Sequence, residues 1–178
     1  MNVFPHAVYT IGYGQRSLDE LLVPLRLYHI GCVIDVRSHP WSRWKPQYIR
    51  RDLETFLRDN GIEYVFMGDQ LGGRPDIPAL RRSDGRMDYE RLVQQDFFQA
   101  GLKRLQRAFD TGLRMCLLCA EQKPEQCHRF WLIGRELQRR SLPVLHIDEK
   151  NNLLTQEEVL SRTITGQTDL FEDDRPIH

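Results

Sequence analysis

"VYTIGYGQRSLDELLVPL", Val8 to Leu25, carries the reading of the fold. Val8 to Gly12 is a short apolar and β-branched run, which suits a strand buried on both faces. Ser17-Leu-Asp-Glu20 then matches a capping box, and Leu18, Leu21, Leu22 and Leu25 fall on one stripe of the helix that it starts. Strand, glycine-bearing loop and amphipathic helix make the first half of a crossover unit, the connection that parallel strands require.

The alternation continues along the chain. Cys32 to Val36, Glu63 to Met67, Met115 to Cys119 and Val144 to Ile147 read as strands. Between them, three stretches have helical period. Ile49 to Asn60 carries Leu53, Phe56 and Leu57 and is closed by Gly61; Tyr89 to Asp110 turns Val93, Phe97, Leu102, Leu105 and Phe109 inward; Cys127 to Arg140 is the third. Thr155-Gln-Glu-Glu158 is a second capping box. Gly68 to Asp88, rich in glycine and proline, reads as a functional loop. The class is α/β, a three-layer fold with a mostly parallel central sheet of about five strands flanked by helices. Residues 1–165 form one domain, and the aperiodic residues 166–178 a flexible tail.

Composition narrows the setting. Apolar residues make up 40% and charged residues 28%, and no apolar run approaches the roughly 20 residues that span a bilayer. No export signal opens the chain, so a cytoplasmic location is expected. In that compartment Cys32, Cys116, Cys119 and Cys127 read as buried, catalytic or metal-bound rather than as a disulfide framework. The formal net charge is zero, but the last 13 residues hold four acids and one arginine, leaving the body mildly basic.

In an open parallel sheet, ligands bind beyond the carboxyl ends of the strands. Gly12, Gly14 and Arg16 follow the first strand, Asp35 and Arg37 the second, Arg74 the third, and Cys119, Glu121, Cys127, His128 and Arg129 the fourth. Cys119, Cys127, His128, Glu121 and Asp35 are the candidates for chemistry; Gly12, Gly14, Arg16, Arg37, Arg74 and Arg129 are those for holding a substrate. Gly12-Tyr-Gly14 lacks the third glycine of the dinucleotide fingerprint and is by itself a weak phosphate signal.

Cys116 and Cys119 stand three apart on a strand and point to opposite faces, so Cys116 is core and no Cys-x-x-Cys chelate forms. Cys127 and His128 open the next helix, where amides and dipole lower a thiol's pKa. Three readings compete. A thiolate of Cys119 or Cys127 is a nucleophile with His128 as acid-base and Arg129 on the substrate; or Cys119, Cys127 and His128 ligate zinc or iron with Glu121 or Asp35 as a fourth group; or the two thiols form a reversible disulfide. Against all three stands a purely structural loop.

"RSHPWSRWKPQYIRR", Arg37 to Arg51, has five permanent cations and no acid. Trp41, Arg43, Trp44, Lys45, Arg50 and Arg51 read as a nucleic-acid surface, with aromatic rings for bases and cations for phosphates. The competing reading packs the tryptophans into the core beside Tyr48.

"TIGYGQRSLDELL", "VIDVRSHPWSRWKPQY", "LGGRP" and "LLCAEQKPEQCHR" together resemble the family catalogued as domain of unknown function 488, over about Val8 to His146. The resemblance implies an α/β protein whose signature falls here on Cys119-Ala-Glu121, Cys127-His-Arg129 and Asp35-Val-Arg37. It also implies a histidine where this chain has Tyr13. In the tail, "QTDLF" is similar to the pentapeptide by which bacterial replication and repair proteins bind the sliding clamp, with Gln167 for hydrogen bonding and Leu170 and Phe171 for an apolar pocket. The expectation is a nucleic-acid- or nucleotide-associated enzyme or repair-type factor. A noncatalytic DNA- or clamp-binding adaptor and a small-molecule thiol or metal enzyme are the alternatives.

Overall fold

The structure is a computed structural model and describes residues 5–165; the tail, with Gln167, Leu170 and Phe171, lies outside the described residues. Strands β1 (Val8–Gly12), β2 (Cys32–Asp35), β3 (Glu63–Phe66), β4 (Met115–Cys119), β5 (Val144–Ile147) and β6 (Leu153–Thr155) form one sheet in the order β3-β2-β4-β1-β5-β6. The first five are parallel, and β6 pairs antiparallel with β5. Sequence patterning missed β6 because three half-buried residues carry no period.

Helices cover both faces. On one lie α1 (Leu18–Leu27) and α2 (Arg50–Asp59), burying Leu21, Leu25, Leu53 and Leu57 against Tyr9, Ile11, Val33, Cys116 and Leu118. On the other, α3 (Gly68–Leu71), α4 (Tyr89–Val93), α5 (Asp96–Asp110) and α6 (Arg135–Arg139) bury Leu71, Leu92, Phe98, Leu102, Leu105 and Leu137 against Val8, Ile34, Leu117 and Cys119. α7 (Gln156–Thr165) follows β6 and buries Val159. Both capping boxes form: Ser17 and Glu20 bond each other's amides, as do Thr155 and Glu158. Among the described residues no helix is long and apolar enough to cross a membrane.

Two helices differ from their sequence pattern. Tyr89 to Asp110 is broken: Gln95 is extended, Gln99 Nε2 caps the Val93 carbonyl at 2.6 Å, and α5 restarts in a new phase that buries Phe98 instead of Phe97. Cys127 does not open a helix. Pro124 starts a one-turn 3-10 segment, Pro124–Gln126, and Cys127 after it is extended (φ −129°, ψ 147°). A π-helical stretch, Arg129–Gly134, then leads into α6.

The topology sets the site. The chain leaves β1 for α1 on one face of the sheet and leaves the adjacent β4 for the π-helical stretch and α6 on the other. Loops that diverge in this way leave a crevice at the carboxyl ends of the two strands. Tyr13 N donates to the Cys119 carbonyl at 3.1 Å and Gly14 N to that of Ala120 at 2.9 Å, keeping the two loops together at its floor.

Away from the crevice, His146 is buried between Thr10 Oγ1 (2.7 Å from Nδ1) and Gln156 Oε1 (2.8 Å from Nε2), and burial depresses its pKa from 6.5 to about 4. As pH falls through that window the unfolded chain takes up a proton that the folded chain refuses, so stability falls. Wild type is expected to lose about 2–3 kcal/mol more than His146→Gln between pH 7 and 4.5 in urea unfolding. Equal losses in the two proteins would show that His146 does not set the acid limb.

Candidate functional site

At the end of β4 the sheet's parity puts Cys119 on the face opposite Cys116. The loop then folds back so that Glu121, Cys127 and His128 converge on Cys119. Cys119 Sγ lies 2.9 Å from Glu121 Oε2 and 3.5 Å from His128 Nδ1, and Cys127 Sγ lies 3.2 and 3.7 Å from the same two atoms. All four ligating atoms fall within 4.8 Å of one another, so this cluster could hold a metal ion. Both thiols are free and buried.

Three features hold the cluster in shape. His128 Nε2 donates to the Val36 carbonyl at 3.2 Å, which directs Nδ1 at the sulfurs; a carbonyl partner of this kind fixes the orientation of metal-ligating histidines. Gly73 lets the loop after β3 press on the imidazole, since a Cβ there would lie 2.6 Å from His128 Cγ. Arg129, fully buried, donates from Nη1 to the Glu121 carbonyl and from Nη2 to that of Gln122 at 2.8 Å. Its guanidinium holds the loop's backbone rather than facing the cleft.

The two thiols differ electrostatically. A hydrogen bond to Cys127, and then burial, hold Cys119 well above the usual thiol range. Burial pushes Cys127 up as well, but the bond from Cys119, the Arg129 charge and His128 outweigh it and bring Cys127 well below that range. Burial opposes a charge on His128, and the Cys127 sulfur and Glu121 outweigh it, raising its pKa. The backbone amide of Arg129 also donates to Cys127 Sγ at 3.4 Å. Of the two thiols Cys127 is therefore the readier to give up its proton, and a bound cation would displace protons that the cluster carries.

Above the cluster lies a cleft of 280 Å³. Tyr13, Arg37, Trp41, Arg74 and Tyr89 contribute to its walls, and Cys119, Glu121 and His128 to its floor. Asp35 is not among the cluster's donors. It sits on the opposite sheet face, where Oδ1 accepts from Arg37 Nε (2.8 Å) and Oδ2 from Arg37 Nη2 (2.6 Å) and the Tyr64 hydroxyl (2.7 Å). Burial disfavours the Arg37 charge, but these bonds outweigh it and keep the guanidinium protonated, 5.3 Å over the Tyr13 ring. Arg16 is also tied up, donating to the carbonyls of Gly12 and Asp148, both at 2.7 Å, and to Asn151 Oδ1. Gly12 admits the Glu121 carbonyl, which a Cβ would overlap, and Gly14 (φ +48°) lies against the Gln122 side chain; neither glycine lines the cleft. Of the expected substrate-holding residues, Arg37 and Arg74 reach it.

The basic aromatic stretch divides. Tyr48 is the core residue, stacked 4.0 Å from Tyr13, whereas Trp41 and Trp44 are 67% and 79% exposed. Arg43 lies over the Trp44 ring, Lys45 Nζ donates to the Gln15 carbonyl, Arg50 covers Phe66, and Arg51 pairs with Asp52. Sequence reasoning missed Tyr64 and Tyr89. Tyr64 was open to discovery, because β2–β3 pairing sets it beside Val33, on the face from which Asp35 projects. Tyr89 begins a helix and carries no such signal.

Fold and site together define an α/β protein with a cysteine, histidine and carboxylate cluster, competent to bind a metal, at the carboxyl rim of a mostly parallel sheet. The family model described as "Domain of unknown function DUF488" matches residues 17–135, and the chain belongs to that family. The match takes in Asp35, Arg37 and the whole cluster, and it is narrower at both ends than the stretch the motifs suggested. No curated protein and no solved structure matches the chain.

Proposed function

We propose that the protein is a metal-dependent enzyme in which Cys119, Cys127 and His128 hold one zinc ion. Glu121 is the exchangeable fourth group, and Arg37 and Arg74 hold an anionic substrate in the cleft above. The carrying observation is the convergence of four ligand atoms within 4.8 Å around an Nδ1 already oriented by Val36. Zinc with ordinary bonds of roughly 2.0–2.3 Å separates its ligand atoms by about 3.3–3.8 Å, close to the spacings present here. Two sulfurs, an imidazole and a carboxylate suit zinc ahead of iron, and hard cations least.

Bound zinc supplies a Lewis acid that activates water or polarises a substrate. Glu121, half-buried and open to the cleft, is then placed to take and return a proton. Arg37, immobilised by Asp35, binds the anion at little further cost in side-chain entropy.

Purified protein is expected to carry one equivalent of zinc. Glu121→Gln should retain that equivalent with affinity weakened by roughly 10–100-fold, the effect of removing an auxiliary rather than an essential partner. Wild type that neither retains nor takes up zinc would defeat the proposal. A second reading, with Cys127 as a nucleophile, is favoured by the Arg129 amide 3.4 Å from its sulfur and the His128 Nδ1 at 3.7 Å, both placed to support a negative charge there. It would gain if zinc failed to protect the fast-reacting thiol from iodoacetamide.

A further inference from the structure

Trp41 and Trp44 are the most exposed large apolar side chains among the described residues. The fold does not use them, since Tyr48 fills the core from the same loop. Yet the loop is held in place. Arg50 N donates to the Pro40 carbonyl at 3.0 Å, Lys45 N to Ser42 Oγ at 3.1 Å, and Lys45 Nζ to the Gln15 carbonyl at 3.0 Å. Two rings kept in water on an ordered loop form a ready platform for a flat apolar group. Arg43, 4.7 Å over one face of Trp44, leaves the other face for stacking.

The surroundings specify the sign of the partner. Residues 37–51 contain no acid, and Trp41 itself lines the cleft. Across the cleft, Gly73, Arg74 and Tyr89 also line a second hollow that runs on to Arg81 and Arg86, on the hairpin closed by the Arg81–Met87 bridge. The acids nearby are few, and Glu121 on the cleft floor belongs to the cluster. Asp88 meets Arg82 and Arg91, Asp84 accepts the Arg86 amide, and Asp76 lies beside His39. A track of cations therefore passes from the tryptophan loop, over the cluster, to the hairpin.

We infer that this track binds single-stranded nucleic acid, with bases stacked on Trp41 and Trp44 and phosphates running past Arg74 to Arg81. Unpaired bases have faces to offer a tryptophan, whereas those of a duplex are already stacked. The inference rests on the metal-enzyme reading only for what happens to the nucleotide above the cluster, and not for binding itself.

The test uses fluorescein-labelled dT and rU oligonucleotides of about 12 nucleotides, within the usual site sizes, and a duplex of the same length. Anisotropy is followed from roughly 50 to 200 mM salt. Both single strands should saturate, the tighter one identifying DNA or RNA as the source, and the duplex should bind more weakly. Trp44→Ala should weaken binding roughly tenfold with the salt slope unchanged, as loss of one stacked base predicts. Arg74→Ala with Arg81→Ala should weaken it and reduce the slope by about 2. Arg104→Ala with Arg107→Ala, near the end of α5 that leads to the opposite rim, should do neither. No saturable binding at low salt, a duplex bound as tightly as single strands, or an unaffected Trp44→Ala would overturn the inference. Zinc content measured alongside separates the two proposals: binding lost with zinc retained defeats only this one, and zinc absent with binding retained defeats only the other.

Discussion

Arg129→Ala is expected to destabilise the protein by roughly 3–5 kcal/mol, the cost of removing one member of a buried charged network. The guanidinium is fully buried and spends two donors on the carbonyls of Glu121 and Gln122, both of which would be left without it. Its charge also helps to lower the Cys127 pKa, so the variant should react more slowly with iodoacetamide at neutral pH. Arg129→Lys separates the two effects. An ammonium keeps the charge near Cys127 but lacks the planar fork that reaches both carbonyls, so reactivity should recover more than stability. Urea unfolding and alkylation rates check this. A loss below about 1 kcal/mol for Arg129→Ala, the range of a single ordinary hydrogen bond, would mean that the loop stands without its guanidinium.

Cys119→Ser and His128→Ala carry the other large effect. Each removes a proposed ligand, and each should lower zinc affinity by well over the roughly 100-fold attached to auxiliary partners. Cys116→Ala is the control of the same residue type. It lies on the same strand but faces the opposite core, and it should keep zinc. A chelator should accordingly reduce the melting temperature of wild type and Cys116→Ala while leaving Cys119→Ser and His128→Ala unmoved. Zinc bound to the folded state at a thousand times its Kd contributes about 4 kcal/mol.

The strands that build the sheet's centre were legible because fully buried parallel strands are short continuous apolar runs. Strand parity alone removed Cys116 from the chemistry. Capping boxes placed two helix starts for a local reason, since the bonds they predict lie within four residues. What stayed hidden depends on neighbours distant in sequence. Asp35 and Glu121 were equivalent candidates as a fourth ligand, and only the fold shows that Asp35 is consumed by Arg37 and Tyr64 on the other face of the sheet. Arg129 looked like an anion ligand beside His128, but its side chain turns inward because the loop's carbonyls would otherwise be buried unpaired. The exposure of Trp41 and Trp44 was undecided for the same reason. Tyr48, stacked on Tyr13 from a different crossover, had already taken the core position.

Zinc K-edge absorption spectroscopy of the purified protein shows whether the cluster holds the metal. The expected first shell has two sulfur scatterers at about 2.3 Å and one or two nitrogen or oxygen scatterers at about 2.0–2.1 Å. One sulfur should be lost in Cys119→Ser loaded with excess zinc, and both retained in Cys116→Ala. A first shell of nitrogen and oxygen alone, or a shell unchanged by Cys119→Ser, would contradict it.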